Sequence, residues 1–303
     1  MTSSLKFRQW IVLTSMAAVV AGCGSTREGA WETSSETVVL DESAKAQEGQ
    51  LLAAAQAAWL QRGDEAQALA AVENWEKAVA LNPKNAQAWT DLSHALFFYA
   101  DCYLRFDEAQ PDTYKGKHEE GTKAAEHALV AMSPAFSDKM SKGALIENAI
   151  EVLGPSAVPA LYWRSSNLGR WATLESFATL LSYKDEVRAI MQFCLDNDPT
   201  YWHYGPDRYF GIFFAKAPAF SGGDMTKSLE HFEASIAAAP NYLGTHTYVA
   251  EEWAIKEADR PLFEEQLAFV LNTDPNIVPE LVAENTCEQQ KAKILMAEAD
   301  DLF

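Results

Sequence analysis

The way its helices end constrains this chain most. Four segments close alike: AVALNP at 78–83, CLDNDP at 194–199, SIAAAP at 235–240 and VLNTDP at 270–275, with ALVAMSP at 128–134 as a variant longer by one residue. Proline lacks the N–H that helix continuation needs, and its ring clashes with the carbonyl four residues back. Each of these prolines therefore marks a helix end. Eight positions before the regular four stand the large residues Trp75, Met191, Phe232 and Leu267; five positions before stand Ala78, Cys194, Ser235 and, less small, Val270. A large residue followed by a small one suits a helix crossing, where axes about 8–10 Å apart leave little room for side chains. Beyond the turns, aromatic residues often open the next segment: Trp89, Phe136, Tyr201 and Tyr242.

From about residue 46 the chain is rich in Ala, Leu, Glu and Gln, and few segments alternate apolar and polar residues over strand length. The 3.6-residue period dominates instead. In 225–239, Met225, Leu229, Phe232 and Ile236 share one face, with Glu230 and Glu233 off it. The Pro-closed pattern resembles the second helix of a tetratricopeptide repeat. The expected fold is all-α: a tetratricopeptide-like helical-hairpin superhelix of four or five divergent repeats. The prolines at 83, 134, 199, 240 and 275 are unevenly spaced, whereas the standard repeat has a period of about 34 residues. Extra structure must intervene. Residues 101–116 read as a loop lengthening one pair, 139–153 as an additional helix, and 278–302 as a closing amphipathic helix.

The N-terminus sets the compartment. Lys6 and Arg8 precede WIVLTSMAAVVAG (10–22), an uncharged run too short for a membrane span of about 20 residues but suited to a secretory signal. Its exit, Val20-Ala21-Gly22-Cys23, resembles a bacterial lipobox. The resemblance implies a signal peptide over 1–22, lipidation of Cys23, a tether over 23–45 and a folded domain over 46–303. Gly24 after the cysteine implies sorting to the outer membrane, facing the periplasm. Of the other cysteines, Cys102, Cys194 and Cys287, two could pair in an oxidising compartment, or all could be buried thiols.

The formal net charge is −19. Such acidity argues against nucleic acid as a partner, since its recognition needs a basic surface. The six histidines, at 94, 118, 127, 203, 231 and 246, show no metal-ligand spacing, and no GxSxG motif occurs. The expectation is a non-enzyme with no cofactor and no metal.

Two segments carry candidate binding residues. Trp163, Asn167, Arg170 and Trp171 share a helical face, with Arg164 beside them. Such a face suits a partly polar cavity wall, where arginine can clamp a carboxylate; core aromatics and surface ion pairs are the plainer reading. Arg208, Tyr209, Phe210, Phe213 and Phe214 form an aromatic-rich helix that would line a concave surface or pack the core. Gly222-Gly223-Asp224 reads as a turn with Asp224 capping the next helix.

Trp163, Gly169 and Trp171, the Gly-Pro-x-Arg-aromatic run at 205–209, the turn from Pro218 to Asp224, Phe232, and Pro240-Asn241-Tyr242 through Ala250-Glu251 together resemble the T component of tripartite ATP-independent periplasmic (TRAP) transporters. The resemblance is specific over 160–254. It implies a non-catalytic lipoprotein, a homotrimer, a pocket or channel for a small hydrophobic or carboxylate ligand, and a periplasmic solute-binding protein as partner. The alternative is a tetratricopeptide-type scaffold for an outer-membrane assembly or secretion complex.

Overall fold

A computed structural model describes residues 27–31 and 39–303; the signal segment and Cys23 lie outside them. The described chain contains helices and turns without a strand, so the fold is all-α. Its helices are α1 (Glu42–Trp59), α2 (Glu65–Leu81), α3 (Ala86–Cys102), α4 (Pro111–Met132), α5 (Pro134–Ser141), α6 (Ile146–Ala149), α7 (Val158–Glu175), α8 (Phe177–Ser182), α9 (Lys184–Asn197), α10 (Tyr201–Lys216), α11 (Met225–Ala238), α12 (Leu243–Tyr248), α13 (Arg260–Asn272), α14 (Val282–Ala297) and α15 (Ala299–Leu302). A π-helical turn, Val249–Ala254, continues α12.

Neighbours in sequence pack as neighbours in space: α1 on α2, α3 on α4, α10 on α11 and α13 on α14, with α7 laid across α3, α4 and α9. The residues flagged by their distance from proline do the packing. Trp75, Met191, Phe232 and Leu267 are buried, as are Ala78, Cys194, Ser235 and Val270. Opposite Phe232 stands Gly211 of α10, where an added Cβ would lie 2.5 Å from the ring. Helix starts are written in the sequence too. The side chains of Asp41, Asp64, Asn85, Ser133 and Asp259 each accept a first-turn amide, and Asp224 caps α11 as expected. Ahead of Asp224, Gly222 has φ +96°, and a Cβ on Gly223 would strike the Ala217 carbonyl at 1.8 Å.

Three expectations need correction. Residues 101–116 are not one loop: α3 continues through Cys102, α4 starts at Pro111, and the short link 103–110 between them contains the 3₁₀ turn Leu104–Phe106. Asp101 and Cys102 hold the last turn of α3 because their partners, Lys291 and Cys287, come from α14. Residues 139–153 do not form one added helix. Gly143, at φ +77°, follows α5, and a single turn of α6 gives way to the 3₁₀ turn Ile150–Val152. The terminal segment is helical, but α14 buries Glu284, Asn285, Glu288 and Lys291 alongside Cys287 and Leu295. An amphipathic stripe would not have shown this face. The cysteine question is settled by the Cys102–Cys287 disulfide, which joins α3 to α14; Cys194 is a buried free thiol. Upstream, α1 starts at Glu42, ahead of the boundary expected at residue 46, and residues 27–31 lie against the body.

Candidate ligand cavity

A cavity of about 140 Å³ opens between α7, α8, α10 and the α12 segment. Helix α7 presents Tyr162, Ser166, Gly169, Arg170 and Thr173 to it, spaced so that they form one stripe. Phe177, Leu180 and Leu181 of α8 close one side. Arg208, Tyr209, Phe213 and Lys216 of α10 form another, and Tyr242, Tyr248 and Glu252 complete the wall. Of the residues expected from sequence, Trp163, Arg170, Arg208, Tyr209 and Phe213 border this space, whereas Arg164, Asn167, Trp171, Phe210 and Phe214 do not.

The split within α7 has a geometric cause. Arg164, Asn167 and Trp171 lie along a different stripe, turned toward α4 and α9 instead of the cavity. Arg164 is buried and binds Glu126 at 2.9 Å and Glu186 at 2.6 Å. Asn167 donates to the Ser93 and Trp163 carbonyls, both at 3.0 Å, and its amide oxygen faces His118 Nδ1 at 3.0 Å. It fits only because residue 121 of α4 is glycine: a Cβ there would lie 2.6 Å from the amide. Trp171 packs edge-on against Tyr183.

The start of α10 has an unusual backbone. Trp202, His203 and Tyr204 adopt left-handed angles, with φ of 47°, 55° and 56°, before a right-handed helix begins. Each costs roughly 1–2 kcal/mol relative to the right-handed form. The surroundings must therefore hold the turn. Arg208 donates to the Trp202 carbonyl at 3.0 Å and the His203 carbonyl at 3.1 Å. Trp202 Nε1 donates to the Tyr242 hydroxyl at 3.3 Å, and the His203 ring stacks on Tyr242. Gly205 then passes so close to Tyr162 that a Cβ would lie 2.5 Å from its hydroxyl oxygen. Three consecutive bulky residues at positive φ could not be foreseen, since residue type argues against them.

Arg208 also donates to the Tyr162 hydroxyl at 3.1 Å, and its guanidinium lies 4.2 Å from the Tyr242 ring centroid. Every described acceptor is neutral. The other cavity cations have carboxylate partners: Arg170 with Asp101 at 3.4 Å, Lys184 with Asp185 at 2.7 Å, and Lys216 with Glu252 at 2.8 Å. Arg208 has no ion-pair partner among the described residues, and it is buried. Ser165 also lines the cavity, and its buried hydroxyl has no hydrogen-bond partner among the described residues. Burial raises the Tyr209 and Tyr242 phenols and pushes Tyr248 up to about 12. These phenols stay protonated at neutral pH and offer hydrogen bonds, not base chemistry.

Behind Arg170 lies a buried ionic cluster. Asp101 contacts Lys291 at 2.5 Å, Arg170 at 3.4 Å and Arg105 at 3.6 Å; Glu251 binds Arg105 and Glu288 binds Lys291, each at 2.7 Å. Burial opposes the Asp101 charge, but Lys291, Arg170 and Arg105 outweigh it and hold its carboxyl well below the usual range. Glu252, beside this cluster, is pushed up by burial, with Lys216 opposing and Glu251 adding to the rise.

The family model of the TRAP transporter T-component matches residues 104–303. The chain belongs to this family. The match includes every residue of the cavity wall except Phe97, and leaves α1–α3 outside. No curated protein matches the chain significantly. As a T-component, the chain is part of a transport system of the cell envelope, and no helix among its described residues is long and apolar enough to cross a membrane.

Proposed function

We propose that this T-component is a non-catalytic lipoprotein, anchored through Cys23 and facing the periplasm, that works with a TRAP solute-binding protein and holds a small carboxylate ligand with an apolar body. Arg208 carries the ligand half of this reading. A guanidinium buried without a counter-charge is costly, and a carboxylate entering the cavity would supply the missing charge. The aromatic and leucine walls suit the apolar body. The volume suits a ligand of about benzene size or a little larger, since an apolar cavity of about 150 Å³ accommodates benzene. A walled cavity of this kind favours the reading over that of a bare docking scaffold.

The ligand half is tested by calorimetry of the purified protein with small aromatic and aliphatic monocarboxylates and their matched amides. Carboxylates are expected to bind at least tenfold tighter. Equal affinity, or no binding by any member, would remove Arg208 from the argument. The partner half is tested by cross-linking in native cells. A solute-binding protein should be recovered with the T-component, and its absence from repeated cross-linked samples rejects the association.

A further inference from the structure

The segment next to the expected anchor is built into the body. Arg27 forms a two-pronged pair with Glu126, Nη1 to Oε1 at 2.5 Å and Nη2 to Oε2 at 2.8 Å, and Glu126 is fully buried. The Ala30 amide donates to the same carboxylate at 2.7 Å. Trp31 sits edge-on to Phe136, with the Arg164 guanidinium 5.1 Å from its ring centroid. The Arg27 amide donates to the Tyr183 hydroxyl at 3.1 Å. Tyr183 directly follows α8 and also lines the cavity. The docking point and the cavity thus share a residue.

The same corner carries exposed apolar surface. Phe177 is 57% exposed and Leu174 39%. Among the cavity-lining residues only Thr173 and Phe177 fall in the exposed class, so the mouth opens between the end of α7 and the start of α8. Covalent geometry supplies the remaining constraint. Four residue steps separate Cys23 from Arg27, and at about 3.3–3.6 Å each they span at most about 14 Å. An acyl anchor on Cys23 therefore cannot let this corner drift from the headgroups.

We infer that the α7–α8 corner, with Leu174 and Phe177 at its tip, rests on the phospholipid surface, so that the cavity mouth opens onto the bilayer. The inference rests on lipidation of Cys23. The partner surface is zwitterionic lipid, because a chain of formal charge −19 is repelled by anionic headgroups. Exposed Phe and Leu beside an acyl chain give the two-part attachment that stable membrane association needs. A ligand entering by this mouth comes from, or leaves to, the lipid interface, which favours an amphiphile: a carboxylate head for Arg208 and an apolar tail toward α8.

The test uses the full-length acylated protein on phosphatidylcholine vesicles. Bimane is attached to Phe177→Cys, and in separate samples to Leu60→Cys and Ile277→Cys, which are exposed on elements outside the α7–α9 corner. Brominated phosphatidylcholine should quench the label at 177 severalfold more than at 60 or 277. Arg27→Ala, verified as folded by circular dichroism, should lose this contrast while still floating with the vesicles. Equal quenching at the three positions in floating protein overturns the inference and leaves the anchor standing. Protein that neither floats nor carries acyl mass on Cys23 rejects anchor and inference together.

Discussion

Replacing Asp101 with asparagine keeps the side-chain shape and removes one charge from the buried cluster. In the native protein, Asp101, Glu251 and Glu288 face Arg105, Arg170 and Lys291. Asp101 and Lys291 are each 3% exposed, so water cannot replace the lost charge. At an effective dielectric near 20, each of the three Asp101 contacts represents about 5–7 kcal/mol of gross attraction. Most of that is offset by desolvation, and the net cost of orphaning buried charges is about 3–5 kcal/mol. For a domain of this size the melting temperature should fall by roughly 6–20 °C. The assay is urea and thermal unfolding followed by circular dichroism, with Lys291→Met and the double variant alongside. The double variant removes one charge of each sign, so it should lose about 2–3 kcal/mol less than the two single variants summed. If Asp101→Asn unfolds within about 1 kcal/mol of the native protein, or if the two changes add, the cluster is not the tie between α3 and α14 described above.

Breaking the Cys102–Cys287 disulfide by Cys102→Ser should lower stability by about 2–5 kcal/mol in denaturant titration, because a loop closed across 185 residues is released; an unchanged midpoint would contradict the pairing. His118 is buried, its Nε2 has no hydrogen-bond partner among the described residues, and burial pushes its pKa down to about 4. The unfolded chain, with a pKa near 6.5, binds the proton more readily, so stability should fall by about 3 kcal/mol as pH drops from 6.5 toward 4; unfolding free energies of His118→Gln should show a shallower slope. Gly211→Ala should cost about 1–3 kcal/mol by calorimetry, since the added methyl has no space against Phe232. The half-buried Gly116→Ala, with nothing near its added Cβ, should not destabilise.

Local sequence determined much of this protein. Helix stops at Pro83, Pro199, Pro240 and Pro275, the buried large residues eight positions before them, and the Asp224 cap all follow from interactions within a few turns of the chain, so they were legible without coordinates. The candidate site was legible only in part. Spacing showed that Trp163, Asn167, Arg170 and Trp171 lie near one another on α7, but it could not say which part of the circumference met α4 and which met open space. A rotation of about 100° per residue separates the two outcomes. Packing against Gly121 turned Asn167 inward and left Arg170 at the cavity. The buried charges were invisible for a related reason. Asp101, Glu126 and Lys291 look like surface residues until their partners arrive from distant parts of the chain, and the left-handed Trp202–Tyr204 turn is held by Arg208 and Tyr242 closing around it. Short-range preferences thus decided where helices begin and end, while desolvation and long-range pairing decided which charges could be buried and where the cavity would open.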